Sequence, residues 1–198
     1  MTQAPIVYQS GTNVKLIHKA EYCKSIIADG KELITGEEYG EIRVPELKDP
    51  KVYITFKEGI TNFSDAFYGC LALKSIPDQL FANNTEVTNF SGTFAEGTAL
   101  ISIPAGLFDN NRKVSDFSYT FYGCSALTGE SPYTMIGDQK VHIYERNNYL
   151  YIFSKIENRT GTFSGCNGLT DLQSNSIWLE IIIYFSQWQL SAIGSLTL

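Results

Sequence analysis

Apolar positions return along this chain at a fixed interval. The segments "ITNFSDAFYGCLALKSIP" (60–77), "VTNFSGTFAEGTALISIP" (87–104) and "VSDFSYTFYGCSALTGESP" (114–132) share one skeleton. Phe63, Phe90 and Phe117 are each 27 residues apart, as are Phe67, Phe94 and Phe121, and Leu73, Leu100 and Leu127. Cys70, Gly97 and Cys124 hold one position, Ile76-Pro77 returns as Ile103-Pro104, and Leu80-Phe81 as Leu107-Phe108. A fourth copy, "GTFSGCNGLTDL", begins at Gly161 and aligns Phe163, Cys166 and Leu169 after 15 extra residues. Self-similarity at such a period marks a repeat array.

Each copy carries its own local signals. Asn62, Asn89 and Asp116 precede "FSxxF", the place of a helix N-cap, and two Phe four residues apart share a helical face. The pattern therefore predicts a short helix in every copy. "CxxLxxIP" predicts a short extended piece closed by Pro. A second turn, "IPDQLFANN" or "IPAGLFDNN", packs its Leu-Phe pair inward and ends at Asn-Asn, which tolerates left-handed backbone. One such unit cannot bury its apolar face alone, so stacking must supply the core.

Upstream of the repeats the pattern changes to alternation. "PIVYQ", "VKLIH", "SIIADGKELIT" with an Asp-Gly hairpin turn, "EIRVPEL" and "KVYITF" read as strands. The expected organisation is an α/β repeat solenoid of short strands and short helices. Residues 1–56 form a β-rich N-terminal cap or subdomain, and 57–172 the repeat region with an insertion near 132–146. Residues 173–198 form a C-terminal cap or an aberrant tail.

That tail raises two readings. After "CNGLTDLQ" a new Ile-Pro is expected, but the chain gives "SNSIWLEIIIYFSQWQLSAIGSLTL". A one-base shift across Ser174-Asn175-Ser176-Ile177-Trp178 restores Gln-Ile-Pro-Ser-Gly for one choice of codons, which makes the tail a frameshifted remnant. The other reading is an apolar cap in which "IWLEIIIYF" packs over the last coil.

The skeleton of "VTNFSGTFAEGTAL" and "VSDFSYTFYGCSAL" resembles BspA-type leucine-rich repeats, with their V-T-x-Φ-S-x-x-F-x-G-C-x-x-L element (Φ apolar). Versions with "IPxGLFD" and "GESPY" are similar to gut Bacteroides and prophage proteins. The resemblance covers about residues 60–172, and Gly97 departs from the usual Cys. It implies a leucine-rich-repeat-like solenoid used for binding, often adhesion, at the surface of host-associated microbes. It implies no catalytic residues.

Stacked strands are about 4.8 Å apart, which puts Cys70 and Cys124, two coils apart, about 10 Å from each other and out of disulfide reach. Cys124 and Cys166 become neighbours if the extra segment loops out. A buried ladder of free thiols and a Cys124–Cys166 bond are both open. Cys23 reads as a core thiol, and without a CxxC pair a zinc site is not expected.

Composition narrows the function classes. The 198 residues are 43% hydrophobic and 13% aromatic, which excludes a disordered chain. A net charge of −6 without a basic stripe argues against nucleic-acid binding. No apolar run is long enough to insert in a membrane, and "MTQAPIVYQSGTNVK" lacks the features of a signal peptide. The expected location is the cell surface if a signal was removed, otherwise a phage particle or the cytoplasm.

Catalytic signals are weak. "GTFAEGT" (92–98) has phosphate-loop glycine spacing but no Lys, and repeat packing explains it. His18 and His142 stand far apart with no motif beside them. The sequence predicts no enzyme, no cofactor and no metal.

The insertion is the more promising surface. "IGDQKVHIY" reads as a hairpin with a Gly-Asp turn, and Tyr133, His142, Tyr144, Arg146, Tyr149 and Tyr151 concentrate around it. Tyr and Arg favour binding surfaces because they combine area with hydrogen bonding; equally, these side chains could serve only to cover the end of the stack. The expected function is non-enzymatic binding of a protein or glycan, as a bacterial surface adhesin-like protein. The alternative is a structural or host-recognition component of a phage or prophage.

Overall fold

Alternation in the first 56 residues does produce strands. The structure, a computed structural model, describes residues 4–34 and 40–172; the two readings of residues 173–198 fall outside them. The strands are β1 (Ile6–Tyr8), β2 (Gly11–Ile17), β3 (Cys23–Ala28), β4 (Lys31–Glu32), β5 (Ile42–Leu47) and β6 (Lys51–Phe56). β3 and β4 form the expected hairpin, with Asp29 (φ 48°) and Gly30 (φ 72°) both left-handed as a two-residue turn demands. β2 pairs antiparallel with β5. The remaining strands join an antiparallel sheet ordered β4-β3-β6-β1-β7, where β7 (Leu73–Ser75) belongs to the first repeat copy.

This N-terminal sheet covers the open end of the first copy. The amides of His18 and Lys19 both donate to the Ala66 carbonyl, at 2.8 and 3.3 Å. Tyr22 Oη donates to the Ser64 carbonyl at 3.3 Å, and the Phe56 ring meets Phe63 at 4.7 Å.

The copies lie side by side in register. Single parallel bridges join Asn62 to Asn89, Asn89 to Asp116, and Asp116 to Asn158. Near-parallel rings make three ladders at 5.3–6.1 Å: Phe63–Phe90–Phe117, Phe67–Phe94–Phe121–Phe163, and Phe81–Phe108. All of these except the partly buried Phe163 are essentially inaccessible to water. Burying each ring contributes about 2–3 kcal/mol, and each ring pair a further ~1 kcal/mol.

The expected α/β repeat solenoid is not what forms. The domain is β-rich, with several small antiparallel sheets, and its only helical elements with described bounds are two short 3-10 helices, Ala20–Tyr22 and Ile143–Asn148. The reason lies in where the amides of "FSxxF" go. In the second copy Phe90, Gly92, Phe94 and Glu96 donate to the carbonyls of Asp116, Ser118, Thr120 and Tyr122, at 2.7–2.9 Å. The intervening Thr93, Ala95 and Gly97 close tight turns onto Phe90, Gly92 and Phe94. An α-helix needs all of these donors for its own i−4 carbonyls; here alternate donors leave the copy.

Left-handed residues four apart enforce that path: Asp65 and Gly69, Gly92 and Glu96, Tyr119 and Gly123, Gly161 and Gly165. Such residues cannot continue a right-handed helix. The expected N-cap side chains still accept amide bonds. Asn62, Asn89 and Asp116 each take the amide two residues on, at 2.7–2.8 Å, and Asn158 of the fourth copy, not among those expected, does the same at 3.1 Å, as Asx turns.

The Asn-Asn ends also differ from expectation. Neither pair has left-handed backbone. Asn84 and Asn111 are instead buried, and their side-chain amides tie copies together, Asn84 Nδ2 to the Lys57 carbonyl and Asn111 Nδ2 to that of Asn84. Thr93, Thr120 and Thr162 form a parallel buried ladder, each hydroxyl donating to a Phe carbonyl of the copy before.

Candidate functional site

The insertion follows β8 (Thr128–Gly129), which pairs in parallel with β11 (Gly168–Leu169) of the fourth copy. Its hairpin is β9 (Tyr133–Ile136) and β10 (Gln139–His142), joined at the expected Gly137-Asp138 turn. The 3-10 helix Ile143–Asn148 then leads to a turn at Tyr149–Phe153.

Arg146 is buried, 3% exposed, and so is not part of an accessible binding surface. Its Nη1 donates to the Asn111 carbonyl at 3.2 Å, and its Nη2 to the Phe108 carbonyl at 3.0 Å and Thr134 Oγ1 at 3.3 Å. The guanidinium lies over the rings of Phe153 (4.4 Å) and Phe117 (5.5 Å). Burial pulls its pKa down to about 10, against the opposing pull of Asp109.

Arg146 continues the asparagine ladder. Asn111 reaches back to the carbonyls of Asn84 and Phe81; Arg146 reaches the equivalent carbonyls of Asn111 and Phe108. One long side chain therefore serves the third copy, where the insertion has displaced the Leu-Phe turn.

His142 is buried as well, and gathers a polar cluster. Ser131 Oγ lies 2.9 Å from His142 Nδ1 and donates to Asp171 Oδ2 at 2.5 Å. Asp171 Oδ2 is 3.5 Å from the same His142 nitrogen and accepts from Tyr144 Oη at 3.5 Å. The Tyr144 ring stacks on His142 at 5.2 Å, and Tyr133 meets it edge-on at 5.4 Å. A nucleophile–base relay needs hydroxyl and carboxylate on opposite imidazole nitrogens; here both converge on Nδ1, and Ser131 is fully buried. The cluster fastens the hairpin to the fourth copy. Ser131 and Asp171 carried no local signal, being 40 residues apart.

Of the predicted set only Tyr151 is exposed, and the half-buried Tyr149 lies beside it. Their rings are 6.2 Å apart, Tyr149 Oη donates to Gln139 Oε1 at 2.8 Å, and Tyr151 is 78% exposed. Leu150 between them, which sequence reasoning missed, is also exposed. The turn is pinned by backbone bonds from Tyr149 to Arg146 and from Ile152 and Phe153 to Tyr149. Its two flanks, Arg146 and Phe153, are buried against each other. The predicted residues thus divide: His142, Tyr144 and Tyr133 lie together, Arg146 lies in the core, and Tyr149 and Tyr151 form a projecting tip.

None of the six lines the groove of about 850 Å³ that runs beside Lys24, Phe56, Glu58, Asp78 and Asn83. Among the described residues no group of three or more His, Cys, Asp or Glu side chains is placed to hold a metal ion. No helix among them is long and apolar enough to cross a membrane. Cys124 and Cys166 are free and buried, their thiols donating to the carbonyls of Phe94 and Phe121. No protein-family model matches the chain, and no curated protein or solved structure matches it.

Proposed function

We propose that the chain is a non-enzymatic binding protein, of adhesin-like character, that recognises a protein or glycan through the tip Tyr149-Leu150-Tyr151. The observation that carries this reading is the contrast between that tip and its base. Leu150 and Tyr151 project, beside the half-buried Tyr149, from a turn whose flanking residues, Arg146 and Phe153, are locked in the core. Water-exposed aromatic area held rigid before binding loses little entropy on contact, and tyrosine is a preferred anchor. The resemblance of the repeats to BspA-type surface proteins points the same way, toward adhesion rather than catalysis.

The test is binding of the fluorescently tagged full chain to a glycan microarray and to immobilised extracellular-matrix proteins. The reading expects saturable binding to at least one of them, reduced at least about tenfold by Tyr149→Ala with Tyr151→Ala. Equal binding by the variant, or none by the parent, contradicts it.

A further inference from the structure

The left-handed positions of the four copies form two rows across the stack. One row reads Asp65, Gly92, Tyr119, Gly161; the other reads Gly69, Glu96, Gly123, Gly165. Glycine follows every larger residue for a steric reason. A β-carbon on Gly92 would sit 2.3 Å from Asp65 Oδ1, one on Gly123 3.1 Å from the Glu96 carboxylate, and one on Gly161 2.7 Å from the Tyr119 ring. Each side chain in a left-handed position leans over the next copy and needs a bare backbone beneath it.

Tyr119 is the bulkiest side chain in either row. At φ 55° a bulky residue is strained where glycine is not, and Asp far less so. Its ring atoms Cδ1 and Cε1 crowd Gly161 yet the residue remains 47% exposed, so covering that glycine accounts for only part of it. Tyr122, also exposed, meets it edge-on at 5.8 Å. Two polar groups lie against glycines near the pair: the Glu96 carboxylate over Gly123, the residue after Tyr122, and Ser164 Oγ beside Gly161.

We propose that Tyr119 and Tyr122 form a subsite for a neutral pyranose sugar. The sugar lays its apolar C–H face on a tyrosine ring, and its hydroxyls donate to the Glu96 carboxylate and bond Ser164 Oγ. The half-exposed rings suit the apolar face of a sugar, and the carboxylate in a chain of net charge −6 disfavours an anionic ligand. The subsite lies outside the insertion and is independent of the Tyr149–Tyr151 tip.

Saturation-transfer NMR on the full chain, with methyl glycosides of glucose, galactose and mannose as probes and sialic acid as the charged control, tests this. At least one neutral glycoside is expected to receive saturation and sialic acid none. Tyr119→Gly is expected to weaken the signal at least about tenfold while raising Tm, because glycine relieves the left-handed strain. Tyr149→Ala with Tyr151→Ala is expected to leave it unchanged, which separates this subsite from the tip. No transfer to any neutral glycoside, transfer equal to sialic acid, transfer undiminished in Tyr119→Gly, or a lowered Tm in that variant overturns the proposal. So does loss of transfer in the tip variant.

Discussion

Arg146 Nη1 donates to the Asn111 carbonyl across 3.2 Å, as Asn111 donates to the Asn84 carbonyl one copy earlier at 2.8 Å. An insertion that interrupts the repeat has thus kept the repeat's interior bonding by reaching in with a longer side chain. Arg146→Ala strips donors from two buried carbonyls and opens a void beside Phe117 and Phe153. It is expected to cost about 3 kcal/mol. Arg146→Lys, which cannot bridge both carbonyls, should lose less. The check is a lower midpoint of urea unfolding at unchanged slope.

The ring ladders should be sensitive by position. Phe94 sits between Phe67 at 5.3 Å and Phe121 at 5.4 Å and is fully buried, so Phe94→Ala should cost about 3–5 kcal/mol. Phe163 meets only Phe121, at 5.5 Å, among the stacked rings and is partly buried. Its alanine variant should cost about half as much or less by the same urea measurement.

How far the sequence revealed these features depends on the range of the signal. The Phe ladders were legible because a 27-residue period puts identical side chains on one another. The N-terminal strands were legible from alternation and the Asp29-Gly30 turn. The spacing points to helices where turns form because Phe63 and Phe67 are four apart in either conformation. What distinguishes them is the destination of the amides, which depends on the neighbouring copy. The glycine rows held the missing clue, since Gly92, Gly123 and Gly161 recur where a helix would not want them. Arg146 reaches carbonyls 35 and 38 residues back and Ser131 meets Asp171 40 residues on. No local pattern encodes either contact.

All four cysteines should resist alkylation in the folded state. Cys23, Cys70, Cys124 and Cys166 are free and buried. Burial pushes the thiols of Cys23, Cys70 and Cys124 up to about 12 and that of Cys166 to about 11. Thiolate is the reactive form, so iodoacetamide at neutral pH should label none in native protein and all four in urea without reductant. Mass spectrometry counts the labels; two sites left unlabelled in urea would instead indicate a disulfide.

Acid should loosen the N-terminal sheet. Glu32 is held below its ordinary 4.5 chiefly by Ser25 Oγ, with the amides of Ile26 and Ile34 assisting; Glu41 is lowered chiefly by Arg43, then Lys15. A folded-state pKa below the unfolded one gives stability that is present above the unfolded value and lost as pH falls through the folded value. The loss therefore begins near pH 4.5 and continues below it. Glu32→Gln should flatten that part of the curve, measured as Tm against pH.

Hydrogen exchange on the full chain tests the central structural claim most directly: that the insertion is bonded into the repeat ladder and thereby holds the aromatic tip rigid. The amides of Tyr149, Ile152 and Phe153 should exchange slowly in the native protein, with protection approaching that of Phe94 and Glu96 within the stack. In Arg146→Ala they should lose that protection while the interior copies keep theirs. Rapid exchange at the tip in the native protein, or protection that survives Arg146→Ala, would contradict the account.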